Sequence, residues 1–253
     1  MPKTLIFVPT YNEKDNVGPI CDELLGLGLD ADIVFLDDNS PDGTGVLLDE
    51  LAAKNERLSV IHRPGKSGIG TAHLQGIAYA YDHGYEKLVT MDCDFTHAPS
   101  DIPRMLERSA GADVLVGSRY LEPDSLPGWS LIRKALTTLG HLLTEHLLGI
   151  ANDATGAFRV YDLRRIRREV FGLVTAGGYA FFFQSLFILN KNGARIVDAP
   201  IKLPARTQGS SKMSLDEIRR SVGELVTLYA TSKTNPAQFL IDQPGTRTQS
   251  EPR

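Results

Sequence analysis

The 253-residue sequence predicts an α/β fold with a mostly parallel sheet flanked by helices. Through roughly the first half, short and continuously apolar segments alternate with amphipathic segments of helical period. Continuously apolar strands are typical of a parallel sheet that is covered by helices on both faces. The composition agrees with a packed core, because 42% of the residues are hydrophobic and 23% are charged.

The elements of the first half follow one another regularly. Five segments are predicted to be strands: 4–10, 31–38, 58–63, 86–92 and 112–120. Between them, 13–27 and 70–83 carry apolar residues at helical spacing, and Ser40-Pro41 is typical of an N-cap followed by a proline in the first helical turn. Ligands of such sheets bind beyond the carboxyl ends of the strands, so we expect a site there.

The second half is less regular. Helices are predicted over 131–150, 163–172, 179–190 and 215–231, and short strands over 156–162 and 194–206. The first of these helices has an apolar stripe that consists of Ile132, Leu136, Leu139, Leu143 and Leu147. We expect this stripe to pack against the protein, and partial contact with a membrane interface is the alternative. Residues 236–253 are polar, and we expect a disordered tail there.

Composition argues against several classes of protein. The formal net charge of -4 and the pI of about 5.9 give no support for nucleic-acid binding. Two cysteines, Cys21 and Cys93, make no disulfide framework and suggest a reducing compartment. Neither a signal peptide nor a transmembrane helix is evident, because the most apolar segments are too short or carry several charges. We therefore expect a cytoplasmic protein.

The segment VTMDCDFTHAP places two aspartates where a strand is predicted to end. Asp92 and Asp94 are two residues apart, and such side chains point to the same side of an extended chain. Two carboxylates without a Cys/His set suit Mg²⁺ or Mn²⁺, ions that are usually shared with substrate phosphates. A turn-forming aspartate pair is the alternative, and the D-x-D pattern alone does not decide between them.

Two other strand ends favour a nucleotide ligand. Tyr11 offers an aromatic face to a base, and Glu13, Asp37 and Asp38 offer carboxylates to ring N–H groups or ribose hydroxyls. Together with a metal on the aspartate pair, they describe a nucleotide-diphosphate site. The P-loop pattern is absent, and the G-x-G of GKSGIGTA does not extend to the dinucleotide-binding pattern after the first strand.

Eight stretches together resemble an inverting family-2 glycosyltransferase of the GT-A type, and most closely the dolichol-phosphate (polyprenol-phosphate) mannose synthases. They are, in order, VPTYNE, LDDNSPDGT, GKSGIGTA, MDCDFTHAP, VGSRY, WSLIRKALT, DATGAFRVY and RTQGSSKMS. GSRY, WSxxR and RxxGxSK are the stretches more specific to the polyprenol-phosphate branch. The resemblance implies a single Rossmann-like GT-A domain over 1–235, with a donor-binding half over about 1–120 and an acceptor-side half over about 121–235.

The resemblance also implies roles for individual residues. The nucleotide would be held by Pro9, Tyr11, Glu13, Asp38, Gly68 and Asp92. The metal would be held by Asp92 and Asp94, with the Thr96 hydroxyl as a weaker candidate. The acceptor phosphate would lie near Arg119, Arg133 and Thr137. The residues implied in catalysis are Asp94, Arg119, Arg133, Arg206 and Lys212, of which the last two would close over the diphosphate.

The implied reaction is inverting transfer of mannose from GDP-mannose to a polyprenol phosphate, with Mg²⁺ or Mn²⁺. Since the acceptor phosphate is already anionic at neutral pH, no general base is required. One alternative is transfer of another sugar, such as glucose from UDP-glucose, to undecaprenyl phosphate. Two others are a non-catalytic nucleotide-sugar-binding protein and a nucleotidyltransferase, although the glycine-rich phosphate loop usual in nucleotidyltransferases is absent from this sequence. A lipid acceptor implies peripheral association with the membrane surface, alone or through a separate membrane protein.

Overall fold

The structure is a computed structural model that describes residues 3–205 and 215–242. Its centre is a seven-stranded sheet of order β3-β2-β1-β4-β6-β5-β7. The strands are β1 (Thr4–Thr10), β2 (Ala31–Asp37), β3 (Leu58–His62), β4 (Lys87–Thr90), β5 (Val114–Ser118), β6 (Arg159–Asp162) and β7 (Ile196–Pro200). All paired strands are parallel except where β6 lies between β4 and β5. The predicted α/β fold with a mostly parallel sheet is confirmed.

Helices cover both faces of the sheet. They are α1 (Lys14–Gly26), α2 (Thr44–Ala52), α3 (Ile69–Asp82), α4 (Ile102–Arg108), α5 (Leu131–Leu148), α6 (Phe181–Lys191) and α7 (Leu215–Thr234). Alternate residues of β1 enter different apolar clusters: Leu5 and Phe7 pack on the side of α3 and α6, whereas Ile6 and Val8 pack on the side of α1. No helix within the described residues is long and apolar enough to cross a membrane.

The direction of β6 brings an additional segment to the ligand edge of the sheet. Because β6 is antiparallel to β4 and β5, Arg159 at its start pairs with Thr90 at the end of β4 and with Val116 near the end of β5. The residues just before β6 therefore lie at the same edge as the carboxyl ends of the parallel strands. The sequence predicted a strand here but not its direction.

Two predicted helix boundaries are wrong. The helix expected at Ser40-Pro41 begins only at Thr44, because the Ser40 hydroxyl donates to Asp37 at 2.5 Å and holds the intervening residues in a turn. The helix predicted over 163–172 is a turn followed by a 3-10 helix, Arg168–Leu173. In that turn, Arg164 donates to Asp162 at 2.7 Å, so this basic residue pairs with a strand end instead of lying on a helix face.

The apolar stripe of α5 does not pack as expected. Ile132, Leu136 and Leu139 are exposed, while Leu143 and Leu147 are only partly buried. Helical periodicity was predicted rightly, but the side of the helix that faces the protein was not. The reason is that the side of α5 that contacts the rest of the fold contains Thr144 and Leu148, and only the last two leucines of the stripe reach its border.

The predicted tail also begins later than position 236. A 3-10 helix, Pro236–Phe239, follows α7, and Phe239 is buried with its ring 5.3 Å from that of Phe187. The side chain of Asn192 donates to the Phe239 carbonyl at 2.7 Å and accepts from the Ile241 amide at 2.9 Å. Residues 236–242 therefore belong to the fold, and 243–253 lie outside the described residues.

Candidate active site

The loops that follow β1 and β2 are joined by hydrogen bonds. The Asn12 amide donates to the Ser40 hydroxyl at 2.9 Å, and the Glu13 amide donates to the Thr44 hydroxyl at 2.9 Å. Side chains of the second loop thus satisfy backbone donors of the first. Two of the three polar clusters predicted from the sequence meet at this edge, and Pro9, at the end of β1, is partly buried between them.

Left-handed backbone conformations mark all three predicted clusters. Asn12, Asn39 and Phe95 have φ values of 55°, 55° and 59°. Asparagine adopts this region readily, but for a bulky residue such as phenylalanine it costs of order 1–3 kcal/mol. The strained residue stands directly after Asp94, where it turns the chain back toward the aspartate pair.

The aspartate pair is held by that turn. The carboxylate of buried Asp94 accepts hydrogen bonds from the Thr96 hydroxyl at 2.6 Å and the Thr96 amide at 3.1 Å. The Asp92 amide donates to Nδ1 of buried His97 at 3.0 Å, so the ring proton is on Nε2. Burial lowers the pKa of His97, and the nearby carboxylates of Asp92 and Asp94 oppose this without reversing it. A neutral histidine therefore supports the backbone of the pair.

The donor set at this turn fits a divalent ion that is shared with a ligand. Among the described residues, no three Asp, Glu, His or Cys side chains are arranged to enclose a metal. Mg²⁺ is usually bound by one or two carboxylates together with substrate phosphates and water, so Asp92 and Asp94 are sufficient on the protein side. The Thr96 hydroxyl proton is directed to Asp94, which gives this residue an orienting role whether or not its oxygen also binds metal.

The loop at Asp38, where the sequence predicts the nucleotide, contains a buried ion pair that sequence reasoning missed. The Arg63 guanidinium donates to the Asp38 carboxylate, and both side chains are more than nine-tenths buried. Arg63 also donates to the Thr71 hydroxyl at 2.7 Å and to the Gly68 carbonyl at 3.4 Å. It therefore connects Asp38 to the loop before α3. Its place directly after β3 is the signal that could have identified it.

The loop at Gly68 is fixed by close backbone contacts. Gly68 has a φ of 98°, and a Cβ there would lie 2.4 Å from the Gly177 carbonyl oxygen. That same oxygen accepts a hydrogen bond from the Gly70 amide at 2.8 Å. Lys66, in the same loop, lies 4.9 Å above the Tyr11 ring and so joins this loop to the first strand end.

Glu13, which also follows the first strand, accepts a hydrogen bond through its carboxylate from the Asn16 side chain at 2.6 Å.

A second buried ion pair lies at the end of β5. Arg119 Nε donates to Asp153 Oδ2 at 2.7 Å, and the Arg119 amide donates to the same oxygen at 3.2 Å. The Asp153 side chain is fully buried. Burial disfavours the charge on Arg119, but Asp153, Tyr120 and Asp92 together outweigh burial and raise the pKa of Arg119. Because β6 pairs with the ends of both β4 and β5, Arg119 lies at the same sheet edge as the aspartate pair.

Asp153 belongs to the segment that the antiparallel β6 brings to this edge. Its amide donates to Asp198 Oδ2 at 3.3 Å, which ties the segment to β7. Burial raises the pKa of Asp198, although hydrogen bonds from Asn152 and from the Asp153 amide lower it in part. The segment DATGAFRVY is one of the stretches that carry the family resemblance, but no pattern in the sequence indicated that Asp153 meets Arg119.

The first turns of α5 contain two of the implied acceptor-side residues. The Arg133 guanidinium lies 3.8 Å from the centre of the Trp129 ring, and its amide donates to the Ser130 cap at 3.3 Å. The Thr137 carbonyl accepts a hydrogen bond from the Tyr120 hydroxyl at 3.1 Å. Since Tyr120 directly follows Arg119, it fixes α5 beside the buried ion pair. Arg206 and Lys212 lie outside the described residues.

Buried Arg159 supports the segment that contains Asp153. Its guanidinium donates to the carbonyls of Ala154 at 3.1 Å, Gly156 at 2.8 Å and Phe182 at 2.8 Å, and to the Ser185 hydroxyl at 3.0 Å. Within the described residues it makes no ion pair, so carbonyl and hydroxyl oxygens, with the centre of the Phe182 ring 5.4 Å from the guanidinium carbon, compensate its charge.

Comparison with known proteins now gives the family. The sequence model described as glycosyl transferase family 2 matches residues 5–174. The chain belongs to glycosyltransferase family 2. Among its relatives, the polyprenol monophosphomannose synthase of Mycolicibacterium smegmatis is 36% identical over 87% of this chain and 84% of its own. The undecaprenyl-phosphate mannosyltransferase of Micrococcus luteus is 34% identical over 84% of this chain and 88% of its own.

Solved structures show the same fold for this family-2 chain. The glucosyl-3-phosphoglycerate synthase of Mycobacterium tuberculosis, crystallised with Mn²⁺, UDP and glucosyl-3-phosphoglycerate, aligns with a TM-score of 0.63 at 18% identity, over 92% of this chain and 80% of its own. A mannosyltransferase of Pyrobaculum calidifontis, in complex with GDP-Man and Mn²⁺, aligns with a TM-score of 0.55 at 16% identity, over 94% and 67%. The GT-A type of fold expected from the sequence is confirmed.

Proposed function

We propose that this family-2 glycosyltransferase transfers mannose from GDP-mannose to a polyprenol phosphate, with inversion at the anomeric carbon. The observation that carries the proposal is that the buried Arg119–Asp153 pair lies at the same sheet edge as the aspartate pair, because β6 joins the ends of β4 and β5. An anion-binding group next to a metal-type carboxylate pair suits an acceptor that is itself a phosphate. The names of both curated relatives support mannose as the sugar and a polyprenyl phosphate as the acceptor.

The acceptor supplies its own nucleophile in this reaction. A phosphate monoester has a second pKa near 6, so its oxygen is anionic at neutral pH and needs no protein base. This oxygen forms a bond to the anomeric carbon as the bond from that carbon to the donor diphosphate breaks. Arg119 and Arg133 hold the acceptor and offset the repulsion between two anionic reactants, and arginine can grip phosphate with two parallel hydrogen bonds.

The donor side separates two tasks. Asp38, fixed by Arg63, accepts hydrogen bonds from the base or ribose, with Pro9, Tyr11, Glu13 and the Gly68 loop around it. Asp92 and Asp94 would hold Mg²⁺ or Mn²⁺, which neutralises charge on the leaving diphosphate. Mn²⁺ in two structural neighbours supports a divalent ion. Arg206 and Lys212 would add positive charge to the same diphosphate.

The experiment is transfer of radiolabelled sugar into lipid from GDP-mannose, UDP-glucose and GDP-glucose, with and without Mn²⁺ or Mg²⁺. We expect mannolipid from GDP-mannose only, and only with a divalent ion. A glucolipid from UDP-glucose would favour the alternative sugar, and nucleotide binding without any lipid product would favour the non-catalytic reading.

The aspartate pair provides a direct test of the metal proposal. Asp94→Ala should abolish transfer while the free energy of unfolding stays within about 2 kcal/mol of wild type, since two hydrogen bonds are lost. Asp101→Asn, which lies seven residues after Asp94 in a partly exposed ion pair with Arg104, is the control and should retain activity. Full activity of Asp94→Ala would refute the metal role.

A lipid acceptor also requires that the enzyme reach a membrane. We therefore place the protein at the cytoplasmic membrane surface, bound either directly or through a separate membrane protein.

A further inference from the structure

Three hydrogen-bond donors converge on the carboxylate of Asp198, in β7. The Asn152 side chain donates to Oδ1 at 2.9 Å, and the Asp153 amide donates to Oδ2 at 3.3 Å. Burial raises the pKa of Asp198, and a hydrogen bond from the Ser118 hydroxyl is among the contacts that oppose this rise. An ionised carboxylate suits three donors because it only accepts hydrogen bonds and has about four lone-pair sites for them.

All three donors belong to residues that adjoin or hold Arg119. Ser118 directly precedes Arg119 in the chain, and Asp153 is the ion-pair partner of Arg119. Asn152 directly precedes Asp153. The Ser118 hydroxyl also accepts from the Tyr120 amide at 3.3 Å, so the chain on both sides of Arg119 is connected to the same group. Asp198 therefore supports both partners of the buried Arg119–Asp153 pair.

The order of the strands explains how one carboxylate reaches both segments. β5 lies between β6 and β7, and Arg119 directly follows the end of β5. β7 runs parallel to β5 with Asp198 paired to Val116, so the side chain of Ser118, two residues further along, lies on the same face of the sheet. Asp153 belongs to the segment before β6, on the other side of β5. The bond from its amide to Asp198 therefore crosses the end of β5.

These contacts give Asp198 control over a charge that it does not touch. Because Asp153 Oδ2 accepts from both Nε and the amide of Arg119, a displacement of the Asp153 backbone displaces the guanidinium. We propose that Asp198 is a positioning residue for the acceptor: it fixes the segment that contains Asp153, and thereby the direction in which Arg119 meets the acceptor phosphate. The inference deepens the proposed function and rests on it for the identity of the acceptor.

The test compares two replacements of Asp198 with a matched control at the opposite ends of the same two strands. Asp198→Ala removes both acceptor oxygens, whereas Asp198→Asn keeps the volume and one oxygen. Asp113 directly precedes β5, and its carboxylate accepts from the Arg195 amide, directly before β7, at 2.7 Å. Only 13% of the Asp113 side chain is exposed. Asp113→Ala should lower stability but leave KM for the acceptor unchanged, because this contact lies far along β5 from Arg119.

Transfer from GDP-mannose to a prenyl phosphate gives the first readout. Asp198→Ala should raise KM for the acceptor about tenfold, through the loss of roughly one charge-assisted hydrogen bond from Arg119. Asp198→Asn should raise it about threefold, since Asn152 can turn its amide to present an oxygen to the new NH₂ group. kcat at saturating acceptor and the affinity for GDP should stay within about twofold of wild type, because neither reports the acceptor contact.

A double variant tests whether Asp198 acts through Asp153. Asp153→Asn/Asp198→Ala should have a kcat/KM for the acceptor within about twofold of Asp153→Asn alone, whereas independent effects would multiply. Such non-additivity is expected only if both side chains serve the same contact. A multiplied loss would overturn the positioning role.

Binding of farnesyl phosphate, measured by calorimetry without any donor, separates this inference from the proposed function. We expect Asp198→Ala to bind it about tenfold more weakly than wild type, by the same loss of one charge-assisted hydrogen bond. That result in a protein whose wild type makes no mannolipid would overturn the proposed function alone. A folded Asp198→Asn variant with wild-type KM, an equal rise of KM in Asp113→Ala, or a parallel loss of GDP affinity would overturn the role of Asp198.

Discussion

Replacement of Asp153 by asparagine tests how Arg119 is held. Asp153 Oδ2 accepts hydrogen bonds from the Arg119 guanidinium at 2.7 Å and from the Arg119 amide at 3.2 Å, and no part of the Asp153 side chain is exposed. Loss of one partner of a buried ion pair leaves an uncompensated charge and costs about 3–5 kcal/mol. Since asparagine keeps one acceptor oxygen, we expect Asp153→Asn to lower the free energy of unfolding by about 3 kcal/mol.

Urea unfolding at neutral pH measures this loss of stability. A variant of a partly exposed ion pair with the same N···O distance serves as the control. Arg104 Nη2 donates to Asp101 at the same 2.7 Å, but 38% of the Arg104 side chain and 23% of the Asp101 side chain are exposed. Asp101→Asn should therefore cost less than about 1 kcal/mol. The difference between the two variants reports the burial of the pair together with the second hydrogen bond, which comes from the Arg119 amide.

The kinetic constants for the lipid acceptor, compared with the affinity for GDP, distinguish a positioning role of Asp153 from a general loss of stability. If Asp153 positions Arg119 for the acceptor phosphate, Asp153→Asn should lower kcat/KM for the lipid at least about tenfold, through the loss of roughly one charge-assisted hydrogen bond. Affinity for GDP, measured by calorimetry, should stay within about twofold. The reasoning is refuted if Asp153→Asn unfolds within 1 kcal/mol of wild type, or if its acceptor KM and kcat are both unchanged.

Three further predictions concern the donor side and the core. Arg63→Lys keeps the charge opposite Asp38 but loses the fork that also reaches Gly68, so GDP affinity should fall about tenfold by calorimetry. Gly68→Ala should weaken GDP binding at least as much, since its Cβ would lie 2.4 Å from the Gly177 carbonyl oxygen. Burial lowers the pKa of His73 from 6.5 to about 3, so the unfolded chain binds one more proton below pH 6.5. The free energy of unfolding should therefore fall by about 1.4 kcal/mol more between pH 7.5 and 5.5 in wild type than in His73→Gln.

Each of these predictions has a contrary outcome. Unchanged GDP affinity in Arg63→Lys would mean that the charge alone orients Asp38. A Gly68→Ala variant with wild-type affinity and stability would show that the loop moves freely away from Gly177. Equal pH dependence of urea unfolding in wild type and His73→Gln would show that His73 gains a proton in the folded state as readily as in the unfolded state.

The sequence predicted the meeting of three strand ends because parallel strands finish at one edge. The bond from the Asp38 amide to the Thr10 carbonyl, at 3.1 Å, is the direct result. The partners of Arg63 and Arg119 were not predictable in the same way, since they lie 25 and 34 positions away and meet only through strand order. Asp153 further required the antiparallel direction of β6, which no local pattern encodes.

Helix α5 illustrates a different limit. Its periodicity identified an amphipathic helix within two residues of the observed end, but periodicity is identical for a stripe that faces a core and one that faces outward. On the packed side, the Tyr120 hydroxyl donates to the Thr137 carbonyl and its ring stacks on His141. These contacts, together with burial of Thr144 and Leu148, orient α5, and none of them is visible in its periodicity.

The buried guanidinium of Arg159 has a consequence for how the acceptor side assembles. The oxygens that accept its hydrogen bonds belong to the loop at 154–156 and to α6. The cation can therefore exchange its hydration shell for protein acceptors only when both segments are in place. A state with α6 detached would leave a desolvated charge or admit water into the centre of the sheet. The segment that contains Asp153 should therefore open only together with α6 and β6, and backbone amides in all three should exchange with deuterium as one cooperative unit.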